Sequence, residues 1–290
     1  MLRQEIYAQD GTAKAAIPYT VAEQNFTIRP VQPQAGNRHA VFFTHAREAL
    51  LYHYERNPAA PRITHALTLA VDDYGNVLRS LAIGYGRRAA ATDPALTADD
   101  QAKQTRLTIT VTENRFTNAI DDALTSPDAY RAPLPAETQT AELTGFKPAD
   151  AARFSFDEWA RDDFALLASA TSIAYEQTAD GITPQKRLIE RARTHYRADD
   201  LSALLPLGAV APLALRGESY KLAFTPGLLA QIFTRPRAGQ PDEDLLPDPA
   251  TVLAGQGDDQ GGYVAIDGGA VASRHRRRPG RERSQAATAG

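Results

Sequence analysis

The chain contains no cysteine. That absence excludes disulfides, thiolate metal sites and cysteine nucleophiles, and it leaves the compartment open. Long apolar runs are missing too: nothing approaches the roughly 18 residues of a membrane-spanning helix. The N-terminus lacks the basic-then-apolar pattern of a secretory leader. Direct membrane insertion is therefore not expected. Nor is there an excess of charge of one sign. The 32 Lys and Arg against 35 Asp and Glu leave a net charge of -3, which gives no electrostatic reason to expect nucleic acid as a partner. Neither a G-x-S-x-G elbow nor an H-E-x-x-H pair occurs. What is present is ordinary globular material, 23% charged and 43% hydrophobic over 290 residues. That length can bury a core in one domain or two.

The strongest pattern lies between Ile63 and Tyr85. Ile63, Leu67, Leu69 and Val71 alternate with polar or small residues. Asp72-Asp73-Tyr74-Gly75-Asn76 interrupts them, and Val77, Leu81, Ile83 and Tyr85 resume the alternation. Two period-2 runs around such a turn predict an antiparallel hairpin with one buried face. Gly75 supplies the positive φ that the turn needs. Further strands are expected at Leu2–Ala8, Tyr19–Pro30, Ala40–Thr44, Ala49–Glu55 and Arg106–Phe116. They are separated by the turn dipeptides Asp10-Gly11, Gly36-Asn37 and Asn57-Pro58.

Ala89–Lys103 is small and acidic and reads as a surface loop, and Ser126–Lys147 with its prolines reads as an extended linker. After it the period changes. Ser155 and Glu158 fit a capping box. Phe156, Trp159, Ala160, Phe164 and Leu167 then fall on one helical face. Thr225-Pro226 starts a second short helix through Phe233. Arg187–Arg197 fits helix and strand alike by period. From Asp267 to Gly290 the character shifts again, with six arginines between Arg274 and Arg283 and no apolar residue among them.

Candidate chemistry is thin. His39, His45, His53 and His65 crowd one β region, but a metal site needs several on one face with a third ligand. His45 and His53 are expected on different strands, so structural or surface roles are expected for all four. Glu48 and Glu55 form an acid/base pair only if the fold brings them together; an arginine partner, Arg47 or Arg56, is the more economical role for each. Gly84-Tyr85-Gly86 is too short for a phosphate loop. Asp242-Glu243-Asp244 with Asp248 lacks the alternation and turn glycine of a calcium loop. The arginine-rich end, without interleaved aromatics, would bind nucleic acid only non-specifically. No catalytic, cofactor-binding or metal-binding residue is assigned, and no cofactor is implied.

The run Tyr52-His53-Tyr54-Glu55-Arg56-Asn57-Pro58 is the most specific string in the chain. Pro61-Arg62-Ile63-Thr64-His65, Asp72-Asp73-Tyr74-Gly75-Asn76-Val77-Leu78 and Gly84-Tyr85-Gly86-Arg87-Arg88 follow it. Together they resemble the B component of bacterial insecticidal toxin complexes, the TcdB/TcaC group related to SpvB, in its middle to C-terminal region. The likeness extends to Tyr19-Thr20-Val21-Ala22-Glu23-Gln24-Asn25-Phe26, Arg187-Leu188-Ile189-Glu190, Leu205-Pro206-Leu207-Gly208 and Glu218-Ser219-Tyr220-Lys221-Leu222-Ala223-Phe224-Thr225. It ends near Gly261-Gly262-Tyr263-Val264. The hairpin also resembles the tyrosine-aspartate (RHS-type) repeat.

The resemblance implies a mainly β fold: antiparallel hairpins forming part of a curved RHS-like shell, with one or two short helices. It implies a non-enzymatic segment that helps to enclose and deliver a toxic cargo. The implied partners are the remaining B-component chain, the C component and the A-component pore. The implied location is extracellular within the complex, and cytoplasmic before export. It also favours strand over helix for Arg187–Arg197. The expected division is a β-sheet shell segment over 1–118, a Pro-rich linker over 119–150 and a mixed helix and strand segment over 151–266. A disordered or frameshifted basic tail over 267–290 completes it. A start directly in a strand-like run and the departing tail lead us to expect a gene fragment whose unpaired strand edges invite aggregation. A different class is a stand-alone β-rich glycan- or receptor-binding module, which would cluster Tyr52, Tyr54 and Tyr74 on one face.

Overall fold

In a computed structural model, the structure describes residues 2–87, 95–149, 152–254, 262–266 and 270–276. Two compact units emerge, Met1–Arg115 with Thr138–Arg191, and Phe116–Glu137 with Ala192–Gly290.

The first unit opens with β1 (Arg3–Ile6), β2 (Thr20–Gln32), β3 (Val41–His53), β4 (Arg62–Val71) and β5 (Val77–Tyr85). Helix α1 (Ala98–Lys103), β6 (Thr108–Phe116) and β7 (Pro135–Thr144) come next. Helix α2 (Phe156–Ala168), β8 (Thr171–Ile173) and β9 (Gln185–Tyr196) follow, with β7 and β9 contributing residues to both units. Hydrogen-bonded neighbours run β1-β2-β3-β4-β5-β6-β7-β9, and β8 pairs in parallel with β9. The outer strand β1 is four exposed residues whose Arg3 pairs with Glu5 and with Glu23. A short, charged edge of this kind resists adding foreign strands.

The predicted hairpin is β4–β5. Its turn is fastened by Asp72, whose Oδ1 accepts the amides of Tyr74 and Asn76 at 2.9 and 2.8 Å. Gly75 sits there at φ +89°. Residues 40–55, expected as two strands, form the single strand β3, because Ala46 and Glu48 both pair with β2. Arg47 is the extra residue of a bulge opposite Asn25 and Phe26. The bulge re-aims its side chain onto α2, over the Phe156 ring at 4.1 Å and to Asp157 at 2.9 Å.

The buried face joins Leu67, Leu69, Leu81, Ile83, Ile109, Val111, Ala141 and Leu143 to Phe146, Phe154, Trp159 and Leu167. Helix α2 starts as predicted, with Ser155 and Glu158 completing a reciprocal capping box. Its later course differs from the continuous periodic face. Asp162, Asp163 and Phe164 stand at φ +50°, +52° and +65°, which breaks the helix into two short pieces. Phe164 is thereby carried under Arg79, whose guanidinium lies 4.4 Å from the ring centroid. A left-handed L-residue costs about 1–2 kcal/mol. We therefore expect Asp163→Gly to raise the urea midpoint, by the equivalent of about 1 kcal/mol once the greater freedom of unfolded glycine is allowed for. A lower midpoint would show that the Asp163 side chain contributes more than its backbone costs.

The second unit adds β10 (Arg216–Phe224), α3 (Pro226–Ile232), β11 (Thr234–Arg235) and β12 (Glu243–Asp244). It ends in α4 (Pro249–Ala254), β13 (Tyr263–Ala265) and β14 (Val271–Arg276). The strand order is β9-β10-β14-β13, with β11 and β12 as a separate pair. Thr225 caps α3 and Pro226 opens it, as the sequence predicts.

Three stretches differ from expectation. Within the Pro-rich stretch 126–147, β7 begins at Pro135, where a strand's first residue tolerates a missing N–H; Ala136, Ala141 and Leu143 are buried there. Ala98–Lys103 is a helix capped by Thr97 with Asp99 and Asp100 in its first turn, whereas residues 89–94 of that expected loop lie outside the described residues. Residues 271–276, expected in the disordered or frameshifted tail, form β14, which is hydrogen-bonded to β10 and to β13. The remainder of that tail, 267–269 and 277–290, also lies outside the described residues.

Candidate functional site

Cross-strand register gives the sheet of the first unit two unlike faces. On one, the row Glu23, Leu50, His65, Ile83 and Ile109 lies beside the row Asn25, Glu48, Leu67, Leu81 and Val111. This face carries the core and packs against α2. On the other, the row Gln24, Ala49, Ala66, Ala82 and Thr110 lies beside Ala22, Leu51, Thr64, Gly84 and Thr108. None of these ten side chains is charged, and most are small. They line a broad open groove of about 600 Å³. Adjacent residues at Gly84 and Gly86 are close to β6 and the loop before it. A Cβ at Gly86 would stand 2.0 Å from the Thr105 carbonyl oxygen, so only glycine fits.

The packed face holds one buried polar cluster. His65 occupies an inward position between Ile63 and Leu67 and is 2% exposed. Its Nδ1 lies 3.1 Å from the Tyr85 hydroxyl, which accepts the Phe154 amide at 3.1 Å. His65 Nε2 faces Glu48 Oε1 at 3.4 Å but makes no aligned hydrogen bond. Glu48 Oε2 accepts the Asn25 amide at 2.7 Å. Arg153 donates to the Tyr52 hydroxyl.

Burial pushes Tyr85 up to about 12, so it remains a phenol at every ordinary pH. Burial also holds His65 below its usual 6.5, against the opposing pull of Glu48. The unfolded chain then takes up the proton first as pH falls. The stability His65 contributes is present above pH 6.5 and is lost as pH drops through its unfolded and then its folded value. Urea midpoints between pH 7 and 5 should fall for the native chain and fall less for His65→Gln. Parallel slopes would show that His65 does not set this dependence.

The other sequence candidates separate. His45 and His53 share β3, contrary to expectation, because β3 is continuous through Arg47; they stand eight residues apart, about 26 Å along a strand. His39 is exposed in the β2–β3 connection. No metal-holding group of three or more His, Asp or Glu exists among the described residues. Glu55 pairs with Arg62, and Arg56 with Asp10 at 2.6 Å, so neither predicted arginine serves Glu48 or Glu55. Glu243 pairs with Arg237 at 2.6 Å, while Asp244 and Asp248 accept nearby backbone amides. Tyr52 and Tyr54 stack with centroids 5.9 Å apart. Tyr74, however, sits in the turn at the opposite end of β4, so the three do not form one platform. Sequence reasoning passed over Tyr85 and Arg153. The signal for Tyr85 was its parity with His65 across the hairpin; Arg153 carried none.

The fold is similar to part of the solved chains of toxin complexes. The crystal structure of TcdB2-TccC3 is similar at a TM-score of 0.66 with 19% identity, over 94% of this chain and 12% of that one. The structure of TcdB2-TccC3 without its hypervariable C-terminal region gives 0.65 and 19%, over the same 94% and 12%. A Photorhabdus luminescens Tc holotoxin pore gives 0.63 and 18%, again over 94% and 12%. Residues 1–126 match the family described as the insecticide toxin TcdB middle/C-terminal region. The resemblance to a TcdB-type B component read from Tyr52–Pro58 and its flanks therefore holds across that stretch. The chain spans only 12% of the solved chains it matches. No curated protein matches it.

Proposed function

We propose that the chain is a non-enzymatic structural segment of a toxin-complex B component, helping to form the hollow β-shell that encloses and delivers a toxic cargo. The observation that carries this reading is the two-faced sheet. One face is committed to the core under α2. The other offers ten uncharged, mostly small side chains, and so presents no charge for a cargo polypeptide to pair with. In this reading residues 1–118 and 151–266 are shell wall, and β7 within 119–150 belongs to the same wall. The partners are the remaining B-component sequence, the C component and the A-component pore. The site of action is extracellular, after a cytoplasmic stage, and the role is in virulence.

The test is to produce the chain with the C component and the remaining B-component sequence of its own source. The chain should enter a particle in which the cargo resists added protease. Cargo cleaved equally with and without the chain, or a particle that excludes it, overturns the shell role.

A further inference from the structure

We infer that the free chain pairs with a second copy of itself, face to face, through the uncharged face of its first unit. That face has a projecting half and a recessed half. The β1–β2 ladder stops at Glu23 and the β3–β4 ladder at Glu48, so among the described residues Phe26–Gln32 and Val41–Arg47 pair only with each other. They form a two-stranded arm roughly 20 Å long. Alternation along β2 keeps Phe26, Ile28 and Pro30 on the side of Ala22 and Gln24, and register brings Phe42 opposite Pro30. Phe26, Ile28 and Phe42 are 40%, 65% and 59% exposed there. On the arm's other side Arg29 reaches Asp73 at 2.7 Å and Phe43 lies against Gly75, which fixes the arm to the β4–β5 turn.

The recessed half is the groove of about 600 Å³ over Ala49, Ala66, Ala82 and Gly84. A two-fold axis between the halves lays the arm of each copy in the groove of the other, an isologous contact that closes at two chains. By register no charged side chain stands on either half, and Glu23 at the groove's edge is paired with Arg3. Two copies therefore meet without like-charge repulsion, whereas a partner with a charged face would bury its charges unpaired. The area is sufficient. Covering both halves on both copies removes on the order of 1,200 Å², with about 150–250 Å² for each large aromatic, and specific interfaces begin near that size. An arm already held in place loses little freedom on docking.

The experiment is sedimentation velocity on the intact chain over about a hundredfold range of concentration, because mass action makes a dimer concentration-dependent. The native chain should pass from monomer to dimer. Phe42→Glu on the arm and Ala82→Lys in the groove should each weaken the dimer at least about tenfold. Both positions are exposed, so the urea midpoints of the diluted monomers should stay at the native value. Mixing the two variants should restore pairing, since one arm–groove contact is then native and the other sets Glu against Lys. A native chain that stays monomeric, a dimer indifferent to both changes, no rescue on mixing, or growth past two chains each overturns the inference. If the chain is monomeric alone and Phe42→Glu keeps it out of the particle formed with the C component and the remaining B-component sequence, a shell partner covers the face instead. The shell role is read from protease protection inside that particle and the pairing from the chain alone, so either can fail without the other.

Discussion

Trp159→Ala should lower the unfolding free energy by about 3–5 kcal/mol, the range for removing a buried large aromatic. Trp159 is fully buried, with its ring 5.3 Å from Phe146 and 5.0 Å from Phe154. These three rings join the broken helix α2 to the row Leu67, Leu81 and Val111. Because the helix has two short pieces rather than one run, little intrinsic helical stability remains once the anchor is lost. The exposed apolar row would then favour aggregation. Trp159→Phe should cost much less. The indole N–H has no partner, a burden of about 1–3 kcal/mol that phenylalanine removes along with some contact area. Circular dichroism in urea is the measurement, since the chain's single tryptophan is lost. A Phe variant as unstable as the Ala variant would show that the indole's shape, not its buried area, holds the helix.

The hairpin β4–β5 was readable because every local preference agreed. Parity and turn chemistry both point to Val71 and Val77 flanking a tight turn, and the strand limits match within a residue. The caps at Ser155 and Thr225 were readable for the same reason. What stayed hidden depended on tertiary partners. Pro135 marks an extended segment, but only the sheet decides that it pairs. The bulge at Arg47 is set by the count of residues on β2, which no local pattern carries. Val271–Arg276 lacks the apolar alternation of a strand, yet its backbone finds β10 on one side and β13 on the other. The polar cluster was half visible. His65 stands at an apolar parity position, a clear anomaly, whereas Arg153 reaches Tyr52 from across 101 residues of sequence.

In the second unit, Arg193→Met should cost about 3–5 kcal/mol, the penalty for stripping a partner from a buried charge. Glu137, near the start of β7, is buried with its side chain 2% exposed, and Arg193 Nε reaches its Oε1 at 2.6 Å. Methionine keeps the length and apolar stem of arginine, so the loss isolates the charge rather than the packing. The companion variant decides the cause. If the penalty is an uncompensated carboxylate, Glu137→Gln combined with Arg193→Met should recover most of it, because a neutral pair has no buried charge left to solvate. If the pair instead fixes how β7 and β9 lie together, the double variant should stay as unstable as the single one. Urea unfolding at neutral pH separates the two. Amide exchange along β9 and β10, where Arg193 faces Tyr220 in register, shows whether the loss is local. An Arg193→Met chain as stable as the parent would mean that Glu137 draws its compensation from its other neighbours, and the ion pair would then have no structural claim on this face.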